Sequence, residues 1–321
     1  MEACRREEGP PGRAAAPAAP GGAGGGWCLL WEDSFEREHV FGPDSCWEAQ
    51  LGDGSAYNIP GWGNAELQSY TDRPANVRIE AVVQPDGSSR RCLVVQAAFD
   101  PGAPDGQRFT SARLRTAGRF SIAPGQQWPR IKIEARLRIT PGQGLWPAVW
   151  LLPEDNPHPL ASGFGAYGGW AASGELDVLE MANDMREAVG SIHFGAPWPG
   201  NTFSSGRAAV PPGTEGGWHV HAVEWSLDQI TWLLDGQPFS SARSRAPCGD
   251  GGWYSDGPGA GPHAPFDKAM HLLINLALGS EATEFTKCGG RGVSQQELEA
   301  TLTGQRCCMV VDYVRVLGQA A

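Results

Sequence analysis

No apolar run in the 321-residue chain approaches the roughly 18 residues that a membrane-crossing helix needs. The longest, residues 272–278 and 149–152, have the length of core strands. Basic residues are the minority charge: 25 Lys and Arg stand against 36 Asp and Glu, a net charge of −11. Such a surface repels phosphate backbones and anionic headgroups, which argues against nucleic acid or a membrane as partner and leaves a neutral or cationic one. There is no P-loop, no dinucleotide fingerprint and no Gly-x-Ser-x-Gly elbow, so nucleotide-dependent and serine-hydrolase chemistries lack their signatures. Asn-x-Ser/Thr is absent too, which removes the N-glycosylation acceptor. The eight cysteines include no Cys-x-x-Cys pair, which leaves zinc and thioredoxin-type redox chemistry without support. Two to four disulfides in an oxidising compartment and buried free thiols both remain open. Residues 1–8 carry charges of both signs and precede no apolar stretch, so no secretory signal is visible there.

What the chain has is turns and tryptophan. Gly 44 and Pro 26 imply many chain reversals, and 13 Trp is a heavy load of flat rings that either fill a core or offer a platform for a ligand. Residues 1–26 are expected to form a disordered Gly/Pro/Ala-rich tail, because that composition cannot bury enough apolar surface to offset its ordering entropy. From Trp27 onward, short apolar runs at 77–83, 92–98, 131–139, 219–225, 230–234 and 310–317 alternate with turn clusters. That spacing predicts an all-β sandwich or barrel, read as one β domain over 27–321. In 130–139, Ile131, Ile133, Ala135, Leu137 and Ile139 share one face while Arg130, Lys132, Glu134, Arg136 and Arg138 share the other, as on a half-buried strand. Helical periodicity is convincing only at 294–302, where Ser294 is placed to cap and Glu297 sits at the capping-box offset. The Gly/Pro-rich stretches 153–169, 196–217 and 247–265 have the length of functional loops.

Chemistry concentrates at Gly174-Glu175-Leu176-Asp177-Val178-Leu179-Glu180, three acids in six residues among strand formers. On a helix these side chains would diverge; on a strand, Glu175 and Asp177 share a face while Glu180 has the wrong parity and would enter the core. One extra residue near Val178-Leu179, a β-bulge, brings Glu180 back to the face of Glu175, and bulges are enriched beside active sites. The two glutamates would then be roughly 13 Å apart at Cα by a ~3.3 Å rise. Inward-leaning side chains would bring their carboxyls toward the ~5–5.5 Å of a retaining glycosidase, where one carboxylate attacks the anomeric carbon and the other protonates the leaving oxygen. Asp177 between them is expected to hold the acid/base protonated through like-charge repulsion. The bland alternative is a solvated strand face, for which acids are poor material.

The chain resembles glycoside hydrolase family 16, in its laminarinase (endo-1,3-β-glucanase) branch. The resemblance rests on Gly61-Trp62-Gly63-Asn64-Ala65-Glu66-Leu67-Gln68, Gly144-Leu145-Trp146-Pro147-Ala148-Val149-Trp150, Tyr167-Gly168-Gly169-Trp170, the acid strand, Ser191-Ile192-His193-Phe194-Gly195, Phe266-Asp267-Lys268 and Val311-Asp312-Tyr313-Val314-Arg315-Val316, in the family's order over residues 30–317. It implies a concanavalin A-like β-jelly-roll sandwich with a substrate cleft on its concave sheet. Glu175 is then the nucleophile, Asp177 its electrostatic helper and Glu180 the acid/base. The bulged E-x-D-x-x-E spacing is shared by laminarinases, agarases and carrageenases, whereas lichenases and xyloglucan-modifying enzymes have E-x-D-x-E; the negative charge disfavours sulfated galactans.

The resemblance also implies that Trp146 and Trp170 line sugar subsites, that Asn64 and Arg113 hydrogen-bond sugar hydroxyls, and that His193 works near the acid/base. Trp62 and Trp150 fit either cleft or core. His219 and His221 share a strand face but have no third ligand at metal spacing. The partner expected is a neutral β-glucan bound by a monomer in an extracellular setting, with no cofactor required for catalysis. Asp312 matches the family's usual calcium ligand, so a structural calcium is an expectation, although Ser34 replaces a common Glu and an Asp at the start of a strand also serves as a turn residue. Ala171 in place of Pro and Val178-Leu179 in place of Ile-Met are further departures that preserve the strand. Rival readings are a non-catalytic β-glucan recognition protein of the same fold, which generally lacks the acids, and a transglycosylase.

Overall fold

Strict alternation at 130–139 makes a strand whose apolar face is sealed: Ile131 and Ile133 are fully buried, and Lys132 between them is half-buried on the other face. Repeated along the chain, this pattern yields seventeen strands in the computed structural model, which describes residues 26–155, 164–245, 251–279 and 291–321. In chain order the first nine are β1 (Trp27–Asp33), β2 (Glu48–Ala49), β3 (Gln68–Tyr70), β4 (Val77–Val83), β5 (Ser89–Phe99), β6 (Phe109–Ser111), β7 (Arg113–Arg115), β8 (Arg130–Ile139) and β9 (Leu145–Pro153). The remainder are β10 (Glu175–Glu180), β11 (Glu187–Gly195), β12 (Asn201–Ala209), β13 (His219–Trp225), β14 (Gln229–Leu234), β15 (Gln237–Arg243), β16 (Met270–Leu278) and β17 (Cys307–Gln319).

They form two sheets, one of ten strands built around β15-β14-β13-β8-β17-β5-β6-β3 and one of seven in the order β12-β11-β10-β9-β16-β7-β2. Nearly every pairing is antiparallel and many neighbours are distant in sequence, the crossover pattern of a jelly roll. Between the sheets lies one large apolar cluster. Ile133, Leu137, Trp225, Trp232 and Val316 of the ten-stranded sheet meet Val149, Leu151, Leu176, Ile192 and Ile274 of the seven-stranded sheet. The opposite face of the seven-stranded sheet carries polar and aromatic side chains, and it is there that the acids of β10 emerge.

The expected helix is present at Gln295–Gly304, with Ser294 accepting from the Glu297 amide and Glu297 reaching back to the Ser294 amide. The expected tail lies outside the described residues except for Gly26, and so do Cys4, Cys248 and Cys288. The other five cysteines are free thiols, so the disulfide alternative finds no pair among the described residues. Among those residues no helix is long and apolar enough to cross a membrane.

Candidate active site

The parity conflict on β10 is resolved by a bulge, visible in both of its ladders. Against β11, Glu175 stands opposite His193, Asp177 opposite Ser191 and Glu180 opposite Val189, so three steps on β10 match two on β11. Against β9, Asp177 faces Trp150 and Glu180 faces Ala148, with the same extra residue before Leu179. His193, Ser191 and Val189 alternate along one face of β11, so Glu175, Asp177 and Glu180 share that face. Leu176, Val178 and Leu179 all drop into the inter-sheet core. At the bulge the indole N–H of Trp232, reaching across the core from the other sheet, donates to the Asp177 carbonyl at 2.7 Å. Gly190 makes room for that indole: a Cβ there would fall 2.1 Å from the ring.

Each glutamate is held by a tryptophan. Trp170 Nε1 donates to Glu175 Oε2 at 2.9 Å, and Trp146 Nε1 donates to Glu180 Oε1 at 3.0 Å. Asp177 is the deepest of the three, 3% exposed. Burial pushes its carboxyl well above the ordinary carboxylate range, and the charges of Glu175 and then Glu180 push it further. Ionising all three acids together is therefore disfavoured, and the depth of Asp177 is the first reason. His193 Nε2 lies 3.5 Å from Asp177 Oδ2 and 3.7 Å from Glu175 Oε1. Among the described residues, Glu175, Asp177 and His193 are the one group of such side chains close enough to hold a cation, with candidate atoms within 4.8 Å of one another.

On the other side of β10 the face continues through Trp150 and Asn275 to Arg113. Trp150 Nε1 donates to Asn275 Oδ1 at 2.7 Å, and Asn275 Nδ2 donates to the Tyr70 hydroxyl at 3.1 Å. That hydroxyl donates to Glu66 Oε2 at 3.0 Å, Gln68 Nε2 reaches the same oxygen at 2.6 Å, and Asn64 Nδ2 donates to Glu66 Oε1 at 3.2 Å. Burial pushes the Glu66 carboxyl up, while Arg113 and these three donors draw it back down. Arg113 is buried, gives Nε to Gln50 Oε1 at 2.7 Å, and has its guanidinium 4.3 Å from the Trp62 ring centroid and 4.7 Å from that of Trp150. A wall of this kind, flat rings beside fixed amides and a guanidinium, suits the apolar faces and hydroxyl edges of a sugar.

Glu175, Asp177, Glu180, Trp146, Trp170 and His193 are thus gathered at β10, with Arg113 on the adjoining wall and Asn64 joined to it through Glu66. Three placements differ from expectation. His193 adjoins Glu175 and Asp177 rather than Glu180, because the antiparallel register of β11 sets it opposite the other end of β10. Trp146 is only 7% exposed and packs on Ala182 and Ala277, so it offers Glu180 an N–H more than it offers a sugar a ring face. Asp312, 2% exposed, is 2.6 Å from Arg136 Nη1 and 3.6 Å from Arg90 Nη1. Two guanidinium groups occupy the carboxylate that was expected to bind calcium, and this donor set does not fit a divalent cation. The residues that sequence reasoning missed are Gln50, Tyr70 and Asn275. Asn275 had a signal, being the single polar residue in the apolar run 272–278.

A jelly roll presenting paired carboxylates on a ring-lined face has the architecture of a polysaccharide-cleaving enzyme, and the relatives agree. The model of the glycosyl hydrolases family 16 matches residues 107–260, which include the acid strand. A glucan endo-1,3-beta-glucosidase of Cryptopygus antarcticus is 33% identical over 263 residues, covering 80% of this chain and 82% of that protein. Glucan endo-1,3-beta-glucosidase A1 of Niallia circulans is 33% identical over 298 residues, 91% of this chain; the chain spans 38% of that longer protein. The structure of the endo-beta-1,3-glucanase of Pyrococcus furiosus superposes with a TM-score of 0.68 at 28% identity, covering 93% of this chain and 97% of that one. The chain belongs to the glycosyl hydrolases family 16.

Proposed function

We propose that this chain is an endo-acting, retaining glycosidase that cleaves 1,3-β-glucan of the laminarin type. The observation that carries the reading is the bulge in β10, which turns three acids to one face with a tryptophan N–H on each glutamate. Glu175 attacks the anomeric carbon: its oxygen forms a bond to C1 as the bond from C1 to the bridging oxygen breaks, and Glu180 gives that oxygen its proton. In the second half Glu180 takes a proton from water, whose oxygen displaces Glu175 from C1, so the configuration is inverted twice and retained. The N–H groups of Trp170 and Trp146 fix the two carboxyls before the substrate arrives, which places the cost of orienting them in folding rather than in the reaction. Burial and the charges of its neighbours push the Asp177 carboxyl up, so the cluster resists carrying three negative charges at once.

The wall formed by Trp150, Asn275 and Arg113 is the positioning surface for the sugar chain in this reading. The polymer cannot enter a cell intact, so an extracellular setting belongs to the same proposal. A non-catalytic glucan-recognition protein would gain nothing from three crowded acids whose burial costs stability. The test is release of reducing sugar from laminarin, lichenan, agarose and carrageenan, with product sizing. Rapid shortening of laminarin by the wild type, and its loss in Glu175→Gln, is the expected outcome; an inert wild type would reject the proposal.

A further inference from the structure

Five large apolar side chains are exposed among the described residues, and the two aromatic ones, Trp198 at 71% and Phe203 at 49%, both belong to the β11–β12 hairpin. Phe203 is the cross-strand partner of His193, so it shares the face that carries the acids. Its ring lies 5.8 Å from that of His193 with 29° between planes, and His193 in turn lies 5.3 Å from Trp170. A row of flat groups therefore leaves Glu175 and crosses the strands through Trp170 and His193 to Phe203. With neighbouring strands about 4.8 Å apart, Phe203 on β12 stands about 10 Å beyond the acid strand. Trp198, in the turn of the same hairpin, is tied to this row by its backbone N–H, which donates to the Trp170 carbonyl at 2.6 Å.

Two aromatic rings left open to solvent on one hairpin, beside the acids, form the kind of exposed apolar patch that marks a ligand-binding surface. Resting on the proposed glucanase activity, we infer that Phe203 and Trp198 form an outer sugar-binding platform that holds a glucose unit of the same chain beyond those at the acids. Sugar rings stack on such surfaces through their apolar faces. The platform makes the site selective for long polymers over short ones, because a short oligosaccharide spanning the acids does not reach β12.

The experiment compares wild type with Trp198→Ala, Phe203→Ala and the double variant on laminarin and on a short laminari-oligosaccharide. Binding of laminarin is measured in parallel by affinity electrophoresis in a Glu175→Gln background. The double variant is expected to lower the long-to-short ratio of kcat/KM about tenfold, chiefly through KM on laminarin, and to weaken laminarin binding about tenfold. Trp198→Phe with Phe203→Tyr is expected to restore both, which loss of folding would not allow, and thermal melting of each variant verifies the fold. An unchanged ratio and unchanged binding would overturn the platform while leaving the hydrolase reading intact. Conversely, an inert wild type whose laminarin binding still depends on the two rings would reject the hydrolase reading and support the platform.

Discussion

Asp177 is buried beside two other acids, and the consequences can be measured away from activity. Its folded-state pKa lies above the ordinary value through burial first and the charges of Glu175 and Glu180 second. The folded protein therefore keeps a proton that the unfolded chain releases above about pH 3.9, so the contribution of this group to stability falls as pH rises from there toward the raised pKa. Asp177→Asn is expected to melt higher than wild type at neutral pH, by about 2–4 °C for each kcal/mol relieved, and to melt with it at pH values below the ordinary carboxylate range. Coincident melting curves at neutral pH would contradict the assignment. Glu180→Gln is expected to lower kcat by about 10²–10⁴-fold, the usual worth of a positioned general acid, with the fold unchanged in circular dichroism. The three acids were legible in the sequence because their spacing conflicts with strand parity. The true neighbour of His193 was not, because it depends on which residue of β11 lies opposite which of β10.

At the scale of the element, the bulge is the device that turns all three acids of β10 to one face, and it is supported from beneath. Trp232 donates to the Asp177 carbonyl at the bulge, and Gly190 gives the indole its space. Trp232→Phe keeps an aromatic ring in the core and removes the donor to the Asp177 carbonyl. It is expected to destabilise the protein by about 1–3 kcal/mol and, by letting Glu180 shift, to lower kcat roughly 10- to 100-fold. Chemical denaturation and steady-state kinetics on the same preparation give both values; wild-type kcat with the stability loss would confine Trp232 to a packing role. The need for a bulge was readable from E-x-D-x-x-E. The brace was not, since it joins β14 to β10 across the core and local sequence carries no sign of that contact. The strand at 130–139 and the capped helix were legible for the opposite reason: alternation and a capping box are local signals, and both elements form where they occur.

For the whole molecule, the jelly roll separates two tasks onto two sheets. The ten-stranded sheet pairs Arg136 with Asp312 on its outer face, and the seven-stranded sheet carries the three acids. Because Asp312 is matched by guanidinium groups, the melting temperature is expected to be the same in excess chelator and in millimolar calcium; a rise with calcium would show a cation site that this pairing does not provide. The class of fold was legible from strand spacing and turn composition, whereas the polar chain from Asn64 to Asn275 joins segments some two hundred positions apart and no pattern in either segment announces the other. The central claim, that Glu175 and Glu180 work in succession on one linkage, is most directly tested by the anomeric configuration of the first-formed product. Proton NMR of freshly cleaved laminari-oligosaccharide should show the β-anomer accumulating first and relaxing later to the equilibrium mixture; an initial burst of the α-anomer would mean that water, not Glu175, attacks the sugar.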